Sequence, residues 1–185
     1  LKAILYKPDG FDPTKKYPMM VHTYERVTQG LHGYIMPRPS NASVNVSRFV
    51  SNGYVVVKPS VAFETGFPGE AWLKGVTSAA NALIDKGIAD SARLGVFGTS
   101  YGGYATLVGL TFTPDVFAAG VDIVGPSSLV TLLQNVPPYW ASFMPQMKMR
   151  LGDVETEEGK AELLKRSPLT DRKSTRLNSS HGYRS

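Results

Sequence analysis

The residues best suited to covalent chemistry lie in the segment 98–102, Gly-Thr-Ser-Tyr-Gly, which has the pattern G-x-S-x-G. The apolar run 93–97 before it predicts a strand, and the small-residue run 101–110 after it predicts a helix. A serine on such a strand-to-helix turn presents its hydroxyl from a strained backbone, and small flanking residues let neighbouring chain pass closely. We therefore predict that Ser100 is a nucleophile with a positive φ angle. The alternative is a glycine-rich turn with an incidental serine.

A nucleophilic serine needs hydrogen-bond donors for the negative charge that develops on the attacked carbonyl oxygen. The predicted helix after Ser100 directs its first backbone N–H groups toward the turn. The N–H of Tyr101 is therefore a candidate oxyanion donor. The same turn would thus supply both a nucleophile and an oxyanion donor.

A base for Ser100 is not evident in the sequence. In hydrolases with this turn, an acid and then a histidine follow the serine along the chain. The only histidine after Ser100 is His181, and Asp171 has no predicted strand between it and His181. We expect His22 to be a packing residue within a strand and His32 to be a solvated loop residue. No other acid after Ser100 has a better claim: Asp115, Asp122, Asp153 or the glutamates of 154–165. Since the chain has no cysteine and no cluster of histidines and acids, we predict no metal site.

The elements that position this turn alternate between strand and helix, which favours parallel strands with right-handed crossovers and helices on both faces. We predict one α/β domain over residues 1–171 with a doubly wound, mostly parallel sheet. The predicted strands are 3–6, 17–24, 53–57, 93–97 and 117–124, and the predicted helices are 70–86, 101–110, 129–133 and 154–165.

The net charge of +5 is concentrated near the end of the chain. The four basic residues of 172–185 account for all but +1 of it, so the charge pattern predicts no nucleic-acid partner. This segment has few apolar residues and no periodicity, and we predict that it is disordered and artefactual. The chain has no apolar run of 18 residues, so we predict no membrane span, and the localisation stays open.

The motif and its surroundings resemble the catalytic domain of the prolyl oligopeptidase family of serine peptidases, which includes dipeptidyl and acylaminoacyl peptidases. The resemblance is strongest from 52 to about 169 and rests on LGVFGTSYGGYATLVGL, PDVFAAGVDIVGPSSLVTLL and PPYW. It implies an α/β-hydrolase fold, peptide substrates and hydrolysis without a cofactor. It also implies an upstream β-propeller domain, of which no blade is visible in this sequence.

The resemblance implies further site residues. Tyr24 corresponds to a tyrosine whose hydroxyl assists the oxyanion hole, although Glu25-Arg26 follows it where family members often carry Gly-Gly or Ala-Gly-Pro. We expect its hydroxyl to share a cleft with Ser100 and the Tyr101 amide; the alternative is an ordinary tyrosine at a strand end. Tyr139, Trp140 and Phe143 can line the pocket for the residue before the scissile bond, or simply pack a helix against the sheet.

The resemblance also implies that the acid and histidine of the triad lie beyond the recognisable sequence. We accordingly expect a C-terminally incomplete α/β-hydrolase fold and a fragment that is inactive alone. Two other interpretations stay open. The first is a carboxylesterase on the same fold, because the elbow does not distinguish esters from amides. The second is a non-catalytic fragment or pseudoenzyme that serves as a binding domain.

Overall fold

A computed structural model of the chain describes residues 2–35, 43–61, 65–66 and 68–171. Within these ranges, five strands form one sheet in the order β1-β3-β2-β4-β5. Strands β2, β3, β4 and β5 pair in parallel, whereas β1 is antiparallel to β3. The predicted mostly parallel sheet is therefore confirmed. The strands are Lys2–Tyr6 (β1), Tyr17–Thr23 (β2), Val55–Ser60 (β3), Ala89–Thr99 (β4) and Ala119–Ile123 (β5). The predicted tail, 172–185, lies outside the described residues.

Six helices lie within the described residues, of which the first three connect strands, as the alternating pattern predicts, and the last three follow β5. They are Val46–Ser51 (α1), Pro68–Asp85 (α2), Tyr101–Phe112 (α3), Leu129–Gln134 (α4), Met144–Leu151 (α5) and Glu157–Lys165 (α6). Short 3₁₀ turns occur at Thr28–Gly30, Pro138–Phe143 and Pro168–Thr170. No helix within the described residues is long and apolar enough to cross a bilayer.

Two helices were not predicted. Helix α1 has a side-chain cap, because Asn45 accepts a hydrogen bond from the Arg48 N–H, but its six residues give too little periodicity to detect. Helix α5 has Pro145 in its first turn, a position that proline tolerates, and only eight residues. Helix α6 begins at Glu157, three residues later than predicted, because the Thr156 hydroxyl caps it by accepting from the Gly159 N–H.

The main core lies between the sheet and α2. Strand residues such as Met19 and Val57 pack against Trp72 and Ala80 of α2, and all four are almost fully buried. Burying an aliphatic or aromatic side chain of this size contributes roughly 1.5–3 kcal/mol, so this face sets the position of β2 and β4. Their parallel register places Thr23 beside Gly98.

A second core holds the helices that follow the elbow. Tyr104 and Val108 of α3 pack with Leu129, Leu151 and Leu163 from α4, α5 and α6. The Tyr104 hydroxyl also donates to the Arg166 carbonyl at 2.9 Å. Helix α3 therefore lies between the sheet and helices α4, α5 and α6.

Candidate active site

Ser100 lies between β4 and α3 with φ 56° and ψ −119°. The positive φ expected from the G-x-S-x-G pattern is thus confirmed. Few non-glycine residues adopt such a conformation, because it costs about 1–3 kcal/mol. It persists only where the surrounding structure enforces it. The backbone N–H of Ser100 donates to the Ile123 carbonyl at 2.8 Å, which ties the turn to the end of β5.

The glycines of the motif allow three backbone segments to meet. A Cβ on Gly98 would lie 1.9 Å from the Gly102 carbonyl oxygen, and one on Gly102 would lie 2.3 Å from the Thr23 carbonyl oxygen. The Thr23 hydroxyl donates to the Gly102 carbonyl at 2.9 Å and so closes the contact between β2 and the turn. Only glycine fits at these two positions, which is the close approach that the motif predicts.

Tyr101 is the first residue of α3, so its backbone N–H belongs to the first turn, where amides lack partners within the helix. Its ring is partly buried, edge-on to Trp72 at 4.8 Å between centroids and stacked on Tyr104 at 5.9 Å. The Tyr101 hydroxyl is buried without a hydrogen-bond partner among the described residues, and burial raises its pKa. The side chain therefore stays neutral and anchors the start of the helix.

A cavity of about 630 Å³ opens in front of Ser100. The structure brings Ser100, Tyr101, Tyr24, Trp140 and Phe143 together in its wall. The remaining wall residues are mainly apolar: Glu25, Val124, Pro126, Leu132, Gln146, Met147, Arg150 and Leu151.

Tyr139 does not join this wall. Its side chain is 75% exposed, and its ring lies edge-on to Trp140 at 6.4 Å between centroids. The segment Pro138–Phe143 is a 3₁₀ turn, in which residues three apart share a face. Trp140 and Phe143 therefore face the cavity together, whereas Tyr139 points elsewhere.

Tyr24 follows the last residue of β2 and reaches the cavity beside the elbow. A Cβ on Gly102 would lie 3.4 Å from Cδ2 of the Tyr24 ring, so the ring flanks the turn that carries Ser100. A single parallel bridge to Ser60 holds its backbone, and 47% of the residue is exposed. A phenol at this edge of the cavity is available as a hydrogen-bond donor to a bound substrate.

Glu25 and Arg150 form an ion pair in the same wall. Their side chains are 27% and 28% exposed, and the guanidinium of Arg150 also lies 5.8 Å from the centroid of the Tyr101 ring. In the sequence, Glu25 stands out only as a departure from the family pattern, and Arg150 belongs to no motif. The two residues are 125 positions apart, so no local pattern could have linked them.

No histidine or aspartate among the described residues lines the cavity. His22 is buried in β2 beside Phe97, and burial, together with the nearby Lys58 charge, lowers its pKa to about 4. Asp122 near the end of β5 accepts a hydrogen bond from the Gly125 N–H at 2.8 Å. Nor do three or more histidines and acids cluster as metal ligands in the described ranges.

A mostly parallel sheet with a strained serine at the end of a strand, followed by a helix that begins at a cavity, defines an α/β-hydrolase with a nucleophile elbow. The sequence model of the prolyl oligopeptidase family matches residues 40–175. The chain belongs to this family of serine peptidases, so the resemblance stated above is confirmed.

Individual relatives agree with this membership. The chain is 45% identical over 157 residues to dipeptidyl aminopeptidase BIII of Pseudoxanthomonas mexicana, covering 76% of this chain and 22% of that protein. It is 37% identical over 175 residues to dipeptidyl peptidase family member 6 of Caenorhabditis elegans, covering 88% and 24%. The chain thus spans less than a quarter of the length of either relative.

A solved structure supports the fold. A post-proline cleaving enzyme from Rickettsia typhi superimposes with a TM-score of 0.69 at 18% identity, over 91% of this chain and 24% of that one. At this identity the likeness concerns the fold alone, and the predicted α/β-hydrolase fold is confirmed.

Proposed function

We propose that this chain carries the nucleophile and the oxyanion donors of a serine peptidase that cleaves peptides by acyl transfer. The observation that carries the proposal is the meeting of Ser100, Tyr101 and Tyr24 at one cavity, with Ser100 at a positive φ. An incidental serine in a glycine-rich turn would not explain why a strained residue lies in the wall of the cavity.

The first step forms the acyl-enzyme. Ser100 Oγ attacks the peptide carbonyl carbon while a histidine accepts the hydroxyl proton, and the C–N bond breaks as that proton passes to the leaving amine. The Tyr101 N–H and the Tyr24 hydroxyl stabilise the oxyanion of the tetrahedral intermediate. Water then attacks the Ser100 ester by the same route and releases the acid.

The histidine and its acid partner are supplied, in this proposal, by chain beyond residue 171. The candidates within the described residues are unsuitable, because His22 is buried in β2 and Asp122 is held against the Gly125 amide. The same reasoning assigns the choice of substrate partly to a β-propeller domain in the complete protein. Expressed alone, the 185-residue chain is therefore expected to be inactive.

The cavity favours an uncharged side chain before the scissile bond. Trp140, Phe143, Leu132 and Met147 give it apolar walls, and its two charged residues, Glu25 and Arg150, pair with each other. Since both sequence relatives are named as dipeptidyl peptidases, we propose dipeptidyl amides with an apolar second residue as the first substrates to assay.

The test expresses the chain alone and within the complete open reading frame that encodes it. Each is treated with a serine-directed fluorophosphonate and assayed on dipeptide amides and short acyl esters. The proposal expects the complete protein to label at Ser100 and to cleave the amides, and Ser100→Ala to abolish both. Ser51→Ala, at an exposed serine of α1, is the matched control and should leave labelling unchanged.

Three results would contradict the proposal. Unchanged turnover in Ser100→Ala would show that another residue is the nucleophile. Cleavage of esters alone would favour the carboxylesterase interpretation. Turnover by the isolated chain at the rate of the complete protein would require a base within residues 1–171.

A further inference from the structure

The side chain of Arg150 connects parts of the site that come from distant regions of the sequence. It projects from α5 into the cavity wall and pairs with Glu25, the residue directly after Tyr24. Its guanidinium also lies over the ring of Tyr101 at 5.8 Å from the centroid, within the range of a cation–π contact. Arg150 thus contacts the first residue of α3 and the neighbour of the proposed tyrosine donor.

The side chain of Tyr24 needs support from Glu25 and Arg150, because the backbone around it forms few contacts. It lies beyond the end of β2, half-exposed, with one bridge to Ser60. The next main-chain contact is the Glu25 carbonyl, which accepts from the Val61 N–H at 2.9 Å. These bonds fix the path of the backbone, whereas the Tyr24 side chain rests on the elbow along one edge and stays 47% exposed.

Helix α5 provides a rigid attachment for the pair. Leu151, directly after Arg150, is 4% exposed and packs in the second core with Tyr104 and Leu163. The Arg150 carbonyl accepts from the Gly66 N–H at 2.9 Å. The ion pair therefore joins the loop after Tyr24 to an element fixed by the core.

Burial makes this pair stronger than an ordinary surface ion pair. Roughly three-quarters of each side chain is removed from solvent, so the attraction is less screened. Removing the arginine would leave the Glu25 carboxylate partly buried without its counter-ion, and the loop would have to move to solvate it. Such a movement would carry Tyr24, one residue away, with it.

We propose that Arg150 is a positioning residue, which acts through Glu25 to hold the Tyr24 hydroxyl at the oxyanion position. The inference rests on the peptidase function proposed above. Arg150 itself donates nothing to the reacting atoms in this scheme. Loss of Arg150 should therefore lower kcat and leave KM little changed, because an oxyanion contact is made in the transition state and not in the ground state.

The test is a double-mutant cycle in the complete protein with a dipeptide amide substrate. Tyr24→Phe removes one oxyanion donor and should lower kcat roughly 100-fold with little change in KM. Arg150→Met should lower kcat roughly 10- to 100-fold, as expected for a misplaced donor. If Arg150 acts through Tyr24, adding Arg150→Met to Tyr24→Phe should lower kcat less than about threefold further.

Lys148→Met is the matched control. Lys148 lies on the same helix, is 31% exposed and forms ion pairs with Asp153 and Glu155, but it does not line the cavity. Its loss tests whether any broken ion pair on α5 lowers kcat, and it should leave kcat within about twofold of wild type. Arg150→Lys, which keeps the charge, should recover part of the lost rate.

The outcomes separate this inference from the proposed function. The positioning role would be overturned if the effects of Arg150→Met and Tyr24→Phe on kcat multiplied independently. It would also be overturned if Lys148→Met and Arg150→Met lost kcat equally. In both cases Ser100→Ala would stay inactive. Activity retained in Ser100→Ala would overturn the proposed function itself. If circular dichroism shows that Arg150→Met does not fold, Glu25→Gln replaces it in the same cycle with the same expectation.

Discussion

Two turns follow neighbouring parallel strands and meet at the cavity: the elbow at 98–102 after β4, and the turn at 122–125 after β5. Each holds a residue of unusual conformation, Ser100 with φ 56° and Val124 with φ 52°. Within the described parts of the chain, these are the only two non-glycine residues with positive φ. The difference lies in what holds each turn in place.

The elbow is held by backbone contacts on both sides of the serine, which the absence of side chains at Gly98 and Gly102 allows. The turn after β5 also packs closely against α3, because a Cβ on Gly125 would lie 2.4 Å from the Gly103 carbonyl carbon. It has in addition a side-chain acceptor of its own, since Asp122 Oδ1 accepts from the Gly125 N–H at 2.8 Å. Val124 itself is 81% exposed and branched at Cβ, so its side chain does not stabilise the conformation. Strained backbone thus concentrates at the cavity in two closely packed turns, of which the elbow relies on two flanking glycines and the turn after β5 on Gly125 and the Asp122 carboxylate.

The largest expected effect comes from breaking the elbow. Gly98→Ala would place a Cβ 1.9 Å from the Gly102 carbonyl oxygen and 2.6 Å from the Thr23 hydroxyl oxygen, and the Gly102 backbone cannot yield without moving the first turn of α3. We expect the free energy of unfolding, measured by urea denaturation, to fall by at least about 3 kcal/mol.

Gly30→Ala is the control for this loss, because nothing lies within 4 Å of a Cβ built at Gly30. Its free energy of unfolding should stay within about 0.5 kcal/mol of the unsubstituted chain. Similar values for the two variants would mean that the elbow is not closely packed.

A smaller effect, of opposite sign, should come from relieving the strain. Ser100→Gly and Val124→Gly each remove the Cβ that disfavours positive φ, and the gain exceeds the entropic cost of glycine. We expect each to raise the free energy of unfolding by about 0.5–1 kcal/mol. Thermal and urea unfolding of the purified variants would measure it.

Val121→Gly provides the contrast, because Val121 lies in β5 without a positive φ. This variant should lose about 0.5–1 kcal/mol. Destabilisation by Val124→Gly of the same size would show that φ at Val124 carries no strain.

The smallest effect concerns the carboxylate that holds the turn after β5. Burial raises the pKa of Asp122, against a smaller lowering by the Gly125 amide. The folded state therefore holds this proton more tightly than the unfolded state, and stability from this group is lost as pH rises past its unfolded pKa. Asp122→Asn keeps the Oδ1 acceptor without the charge, so its stability relative to wild type should increase between about pH 4 and pH 7.

Asp90→Asn should show the reverse slope. Hydrogen bonds, first from the Ala92 amide and then from Arg93, lower the pKa of Asp90, so its contribution is present above the unfolded pKa and lost as pH falls. Relative to wild type, this variant should therefore become less stable as pH rises to about pH 4, near the unfolded pKa, and should change little between about pH 4 and pH 7. If the stability of both variants relative to wild type changed with pH in the same direction, burial would not raise the pKa of Asp122.

The two turns also show what sequence can reveal. The elbow was predictable because G-x-S-x-G places glycines two positions before and two positions after Ser100, where the turn requires close backbone contact. Val124 gave no signal, since a β-branched residue argues against positive φ and only the tertiary structure enforces it. Long-range relations, such as the pairing of Glu25 with Arg150, leave no periodicity or motif. The core strands β2 and β3, by contrast, were predictable from their apolar runs, because strands buried on both faces must be apolar throughout.

The register of β2 against β4 has a consequence for how this domain can change over evolution. Thr23 pairs with Gly98, and the following residue, Tyr24, reaches the cavity from the end of the strand. Because side chains alternate across a sheet, inserting or deleting one residue in β2 would turn Tyr24 to the opposite face and Met19 and Val21 out of the core at once. Insertions or deletions within β2 would therefore destabilise the fold, whatever their effect on catalysis. Substitutions at Tyr24 alone leave the sheet intact. Variation in catalytic power within this framework must come from single side chains at the strand end.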